Sequence, residues 1–225
     1  MRCYPMFVSL EGRACLVVGA GQVGLRKVLS LADCGASRVL VLERREPDDA
    51  LRALEARPGI SVERREFEES DLDGMFLAIA ATSDAALNKR IAALCRARGV
   101  LCNVIDAPEE GSFIVPSSVV RGDLTIAIST DGHSPALTKR IRKDLQDRFG
   151  EEYAQFLRLM SRLRPCVLGL GLGTGANSAL FRSLVGSRLL EALRLNDGLL
   201  ATAELTAHLP RELHHLIPEL LDGLA

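Results

Sequence analysis

The 225-residue sequence predicts an α/β protein in three consecutive parts: a parallel sheet interleaved with helices (residues 1–111), a small α+β segment (112–150) and a helical C-terminal domain (151–225). Three observations carry this reading. Between Ala14 and Val104, short runs of aliphatic and β-branched residues alternate with helical patterns, the spacing of βαβ units. After "NVIDAPEEG" two β-rich runs follow with only Arg121-Gly122-Asp123 between them. From Glu151 to Ala225 the apolar residues keep a helical period.

Taken in order, Ala14–Val18, Arg38–Leu42, Ile60–Arg64, Met75–Ala80 and Val100–Val104 read as strands of the first part. The run from Asp84 has Leu87, Ile91 and Leu94 at helical spacing and meets Gly99, a natural helix stop. "SFIVPSSVV" and "LTIAIST" read as a hairpin outside the parallel sheet, with Pro116 suited to an edge. Next, Ser134 is placed to cap a helix that opens on Pro135 and stops at Gly150, with Leu137, Ile141, Leu145 and Phe149 four apart. That helix has one apolar stripe on an otherwise basic surface. The C-terminal helices are expected to break at Pro165 and at the glycine-rich run from Gly169, read as a link between helices rather than a nucleotide loop.

Composition narrows the function classes. Apolar residues make up 48% and charged residues 25%, with a net charge of −1, so nothing in the balance points to nucleic acid. No apolar run has the ~18 residues needed to span a bilayer, and Glu11, Gly12 and Arg13 interrupt the only apolar stretch near the start. The six cysteines never form C-x-x-C and several sit in apolar runs, the pattern of reduced thiols in a cytoplasmic protein.

The chemistry is expected at "CLVVGAGQVGLRK". Its G-x-G-x-x-G follows a strand and opens a helix, the Rossmann arrangement for a dinucleotide. Gly19 suits the tight turn, Gly21 lets a pyrophosphate approach the backbone, and Gly24 lets the helix lie close to the sheet. Gln22 and Val23 fall in the first helical turn, where free N–H groups and the dipole favour an anion. Glu43 ends the second strand, 19 residues beyond Gly24 (43 − 24), where a carboxylate accepts hydrogen bonds from a ribose diol and repels a 2′-phosphate. This favours NAD over NADP, with Arg44 and Arg45 as the counter-signal.

Ligands of open α/β sheets gather beyond the carboxyl ends of the strands. There the sequence offers Thr82 after the fourth strand, and Asn103 and Asp106 at the fifth. Asp106 is the candidate general base, although an aspartate at a strand end is commonly a turn former. No Ser-His-Asp or Cys-His set and no metal-ligand spacing assembles from the four histidines, so no metal site is expected.

The stretches "YPMFVSLEGRACLVVGAGQVGLRKV", "AIAATSDAALN", "CNVIDAPEEGSFIVPS" and "AISTDGHSPALTKRIRKDL" together resemble the precorrin-2 dehydrogenase family, the N-terminal module of siroheme synthases, over about Tyr4 to Gln146. The resemblance implies NAD-dependent oxidation of precorrin-2, an eight-carboxylate tetrapyrrole, to sirohydrochlorin, and in some relatives insertion of Fe(II). It implies Asp106 as the catalytic residue and 112–150 as an intertwined dimerisation segment of a homodimer. For the polyanionic substrate it points to Thr130, His133, Ser134, Lys139 and Arg140. The loop Ser129–His133 departs from the family's Ser-Gly-Gly type run, and the glycine-rich run from Gly169 has no counterpart in it. The competing readings are an NAD oxidoreductase of another small substrate and an NAD-sensing regulatory module. A sensor needs no base beside the nicotinamide, so Asp106 separates the classes.

Overall fold

The computed structural model describes residues 3–46 and 49–224. Chain contacts divide it into two units, Met1–Val115 and Pro116–Ala225.

The first unit is a five-stranded sheet of β1 (Ala14–Val18), β2 (Arg38–Leu42), β3 (Ile60–Glu63), β4 (Leu77–Ala80) and β5 (Leu101–Val104). All pairs are parallel and the order is β3-β2-β1-β4-β5. Helices α1 (Gln22–Asp33), α2 (Asp49–Glu55) and α3 (Ala85–Arg98) make up its helical layers. Side chains alternate across the sheet. Cys15, Val17, Val39, Val41, Leu77 and Ile79 join Val28 and Leu31 of α1 and Leu51 and Leu54 of α2 in one cluster. Leu16, Val18, Leu40, Leu42, Ala78, Ala80, Cys102 and Val104 meet Ile91, Ala92 and Cys95 of α3 in the other. Burial on both faces explains why these strands read as continuous apolar runs.

The predicted strands match with small corrections. Met75 and Phe76 precede β4, Val100 precedes β5, and Arg64 lies beyond β3. Helix α3 is capped by Asp84, whose side chain accepts from the Ala86 and Leu87 amides, and ends on Gly99 at φ 70°.

In the second unit β6 (Ser117–Arg121) and β7 (Leu124–Ile128) form an antiparallel hairpin with a two-residue turn. Only the second half of "SFIVPSSVV" is strand. Ser112 and Phe113 instead bond back to the Cys102 carbonyl of β5, at 2.8 and 3.4 Å. Helix α4 (Pro135–Arg148) opens as expected, with the Ser134 hydroxyl accepting from the Leu137 amide, and ends before Phe149 rather than at Gly150.

Helices α5 (Glu152–Gly169), α6 (Thr174–Val185), α7 (Leu189–Leu195), α8 (Gly198–His208) and α9 (Ile217–Leu221) follow. The glycine-rich run links α5 to α6. Pro165 does not break α5, contrary to the sequence reading. The proline removes one hydrogen bond and costs roughly 3 kcal/mol. Leu159, Leu163 and Val167, all fully buried, hold the helix to its core on both sides of it, and each buried aliphatic side chain contributes about 1.5–3 kcal/mol.

Candidate functional site

A cleft of about 580 Å³ opens at the carboxyl ends of the strands in the first unit. It lies at the β1/β4 switch point, where the chain's connections diverge to opposite sides of the sheet. Its walls include Gly19, Gly21, Gln22, Val23 and Gly24, Glu43, Thr82 and Asp106. Residues from four separate sequence regions therefore share one cavity.

The glycines differ in what they do. Gly19 has φ 93°, and a Cβ there would stand 2.6 Å from the Ala81 carbonyl oxygen. At Gly24 a Cβ would come 2.1 Å from the Gly19 carbonyl oxygen, so α1 reaches the loop only without a side chain. Gly21, the N-cap of α1, has ordinary extended backbone and open space where a Cβ would be. The first turn of α1 has no acidic residue, so its free amides and positive dipole end are unopposed. Open space beside backbone amides at a helix N-terminus is what a bound pyrophosphate would require.

Glu43 is buried, and its carboxylate is fully engaged. Oε2 accepts from the Ala20 amide at 2.8 Å and from Arg45 Nη2 at 3.2 Å. Oε1 accepts from the Arg45 amide at 3.0 Å and from Arg45 Nε at 3.3 Å. Burial alone would raise its pKa, but the Arg45 hydrogen bonds, the Ala20 amide and the nearby guanidinium outweigh it and hold the group at about 2. The residue predicted to meet a ribose thus also ties the glycine loop to the end of β2.

The other arginines of the cleft wall have carboxylate partners too. Arg65 places its fork on Asp71 at 2.6 and 2.8 Å and its Nε on Glu63 at 2.7 Å. Desolvation acts to raise the pKa of Asp71, but the Arg65 fork and the Glu68 amide overcome it and keep the carboxyl below the usual range. Arg90 pairs with Glu69 at 2.9 Å and Arg44 with Glu66 at 3.5 Å.

Thr82 is held by a residue the sequence reading missed. Asn88, buried on α3, accepts from the Thr82 amide (3.2 Å) and hydroxyl (2.7 Å) and donates to the Thr82 carbonyl (2.9 Å). The available signal was an amide in the inward stripe Asn88, Ile91, Ala92, Cys95.

Asn103 is buried in β5 and donates to the Phe113 carbonyl at 3.1 Å; it does not line the cleft. Asp106 does line it, exposed, with a left-handed backbone at φ 63°. Ala107 is non-helical before Pro108, as expected of a residue preceding proline.

Thr130, His133, Ser134, Lys139 and Arg140 belong to the second unit. The Thr130 hydroxyl accepts from the Ser134 amide at 3.3 Å and pairs with the Thr138 hydroxyl at 3.1 Å, bracing the start of α4. His133, Lys139 and Arg140 are exposed. Among the described residues no cluster of three or more His, Cys, Asp or Glu side chains is placed to hold a metal, and no helix is long and apolar enough to cross a membrane.

The sheet order, the glycine cradle and the acidic end of β2 define a dinucleotide-binding protein of the Rossmann class. A family model described as "Putative NAD(P)-binding" matches residues 6–117, and one described as "Sirohaem biosynthesis protein central" matches 121–148. The solved structure of SirC, a precorrin-2 dehydrogenase, is 30% identical with a TM-score of 0.68, covering 81% of this chain and 89% of that one. The chain belongs to the precorrin-2 dehydrogenase family. It is also 39% identical over 164 residues to the siroheme synthase of Thioalkalivibrio sulfidiphilus and 41% identical over 170 residues to that of Pseudomonas fluorescens. Those matches cover 73% and 76% of this chain but 33% and 36% of the relatives, so the chain spans about a third of their length.

Proposed function

We propose that the protein oxidises precorrin-2 to sirohydrochlorin with NAD, and that Asp106 is its acid–base residue. The observation that supports this best is the placement of Asp106 at the carboxyl end of β5, in the same cleft as the glycine cradle. When bound, NAD supplies a hydride acceptor. The substrate must lose a proton as well as a hydride; Asp106 is an exposed carboxylate at this end of the sheet that can take it, whereas Asp84 in the same wall accepts from the Ala86 and Leu87 amides as the cap of α3. The amides at the start of α1 would hold the pyrophosphate, and Glu43, ionised at the end of β2, is the carboxylate that would meet the adenine-side ribose. Thr82, fixed by Asn88, shapes the β4 side of the cleft.

The test is anaerobic incubation of the purified chain with precorrin-2 and NAD, expected to yield NADH and sirohydrochlorin. Asp106→Ala should keep NAD affinity and lose about 10²–10⁴-fold in turnover. An unimpaired variant overturns the assignment of the base.

Within this reading 112–150 is the dimerisation segment of a homodimer and 151–225 a helical domain. Helix α4 supports it: the helix has an apolar stripe yet no buried residue, with Leu137 48% exposed. Light scattering should give twice the 24.4 kDa chain mass; a monomer at micromolar concentration refutes it. The exposed Lys139 and Arg140, with Thr130, His133 and Ser134 at the helix start, are assigned to the substrate's carboxylates. Lys139→Glu should then raise KM for the tetrapyrrole and not for NAD. Six free thiols support a reducing, cytoplasmic setting.

A further inference from the structure

We infer that Ser112 is a positioning residue for Asp106: its hydroxyl, laid across both edge groups of Cys102, anchors the loop that presents the carboxylate to the cleft. The inference rests on the reading of Asp106 as the acid–base residue. Among the described residues no hydrogen bond or ion pair holds the Asp106 carboxylate. Its place is therefore set by the backbone, which is left-handed at φ 63° and keeps that conformation through what holds its flanks. On the N-terminal side the Ile105 amide donates to the Ala80 carbonyl at 3.0 Å, which ties the end of β5 to β4. On the other side the chain runs through a short 3₁₀ turn, Pro108–Glu110, before it returns to the sheet.

That return is made at Ser112. Strand β5 is an edge of the sheet. The Leu101 and Ile105 amides point at β4, bonding the Phe76 and Ala80 carbonyls, so by alternation the amide and carbonyl of Cys102 face the open edge. The Ser112 hydroxyl accepts from the Cys102 amide at 2.8 Å, and the Ser112 amide donates to the Cys102 carbonyl at 2.8 Å. Asn103 adds its bond to the Phe113 carbonyl at 3.1 Å. Gly111 permits the close approach, since a Cβ there would stand 2.8 Å from the Cys102 carbonyl oxygen. Helix α3 grips the turn from the other side: Lys89 lies 3.1 Å from the Glu110 carboxylate, and Arg96 donates to the Glu110 carbonyl at 3.2 Å. Residues 103–111 thus form a loop closed at its base by residues 102 and 112, with Asp106 near its tip. Deleting the hydroxyl leaves the amide of Cys102, 2% exposed, without its partner, and a buried amide recovers a partner only if the strap shifts to admit water.

The experiment measures anaerobic turnover of precorrin-2 with NAD, together with hydrogen exchange, on the full chain for wild type, Ser112→Ala, Ser112→Thr, Gly111→Ala, Asp106→Ala and the double variant of Ser112 and Asp106 to alanine. Ser112→Ala should lower kcat about 10- to 100-fold through misplacement of the base. Its KM for NAD should stay within about twofold, because the glycine cradle lies on β1 and α1. Ser112→Thr keeps the hydroxyl and should hold kcat within about threefold of wild type. Gly111→Ala, which keeps the hydroxyl but pushes the strap off β5, should lose kcat as Ser112→Ala does. In the Asp106→Ala background Ser112→Ala should cost no more than about a further twofold, since both changes act through one carboxylate. Exchange should quicken at residues 105–111 in Ser112→Ala and stay unchanged at residues 15–24. Wild-type kcat in either Ser112→Ala or Gly111→Ala overturns the inference, as does an undiminished loss in the Asp106→Ala background or unchanged exchange in the loop. An unimpaired Asp106→Ala would instead overturn the reading of the base itself, a result separable from the others. Thermal melting checks that each variant is folded.

Discussion

Gly21 and Gly24, three residues apart in one loop, should respond to alanine in opposite ways. At Gly24 an alanine Cβ would sit 2.1 Å from the Gly19 carbonyl oxygen, a backbone atom. Ordinary carbon–oxygen contact needs over 1 Å more, so α1 must move off the sheet or the turn must open. Overpacking of this kind costs about 3 kcal/mol, which for a unit of this size lowers its melting temperature by about 10 °C or more. At Gly21 nothing stands within 4 Å of the added methyl, and the backbone, φ −65° and ψ −179°, suits any residue. Gly21→Ala should leave stability within about 1 kcal/mol of wild type, or raise it slightly by restricting the unfolded chain. It should nevertheless weaken NAD binding about 10- to 100-fold, because the methyl fills the space a phosphate needs and one or two charge-assisted amide bonds are lost. Calorimetric melting paired with NADH titration reads both quantities on one sample. If Gly21→Ala binds NADH as wild type does, the pyrophosphate does not rest on this loop and the assignment of the cleft fails.

Glu43→Gln tests the electrostatics. The folded value of about 2 lies below the ordinary 4.5, so its contribution of about 3 kcal/mol is full above pH 4.5 and lost as pH falls towards 2. Urea unfolding of wild type and variant should show a gap of about 2–3 kcal/mol at pH 7 that has more than halved at pH 3; a constant gap would refute the charge as its source. Asn88→Ala removes three bonds to Thr82 and should destabilise the first unit by about 1–3 kcal/mol, with faster hydrogen exchange at residues 81–84. Leu163→Ala, in the fully buried α5 stripe, should cost about 2–5 kcal/mol in the second unit while leaving NADH affinity unchanged. A change in affinity there would mean that the two units are energetically coupled.

The sheet was legible because its strands are covered on both faces, so each appears as an aliphatic run whose ends the glycines and capping residues mark. The cradle was legible because backbone geometry restricts Gly19 and Gly24 to one residue type. Side-chain pairings were not. The clasp of Arg45 on Glu43 depends on how a two-residue offset at the end of β2 folds back, which no periodicity encodes. Asn103 was placed correctly on β5 but its amide turns to the Phe113 carbonyl, because the chain after Gly111 returns alongside that strand. Pro165 misled for the converse reason: local propensity says stop, whereas the core contacts on either side of it are not local.

Asp106 adopts a left-handed backbone that glycine would adopt more easily. On the proposed role, the position needs the carboxyl group Asp106 presents, not the turn it makes. A laboratory selection for heat resistance alone should therefore replace Asp106 by glycine, gaining up to about 1 kcal/mol. With Asp106 as the proposed base, such a variant would be sturdier but inactive, so a screen for hardier variants that also assays turnover at every round tests the proposal.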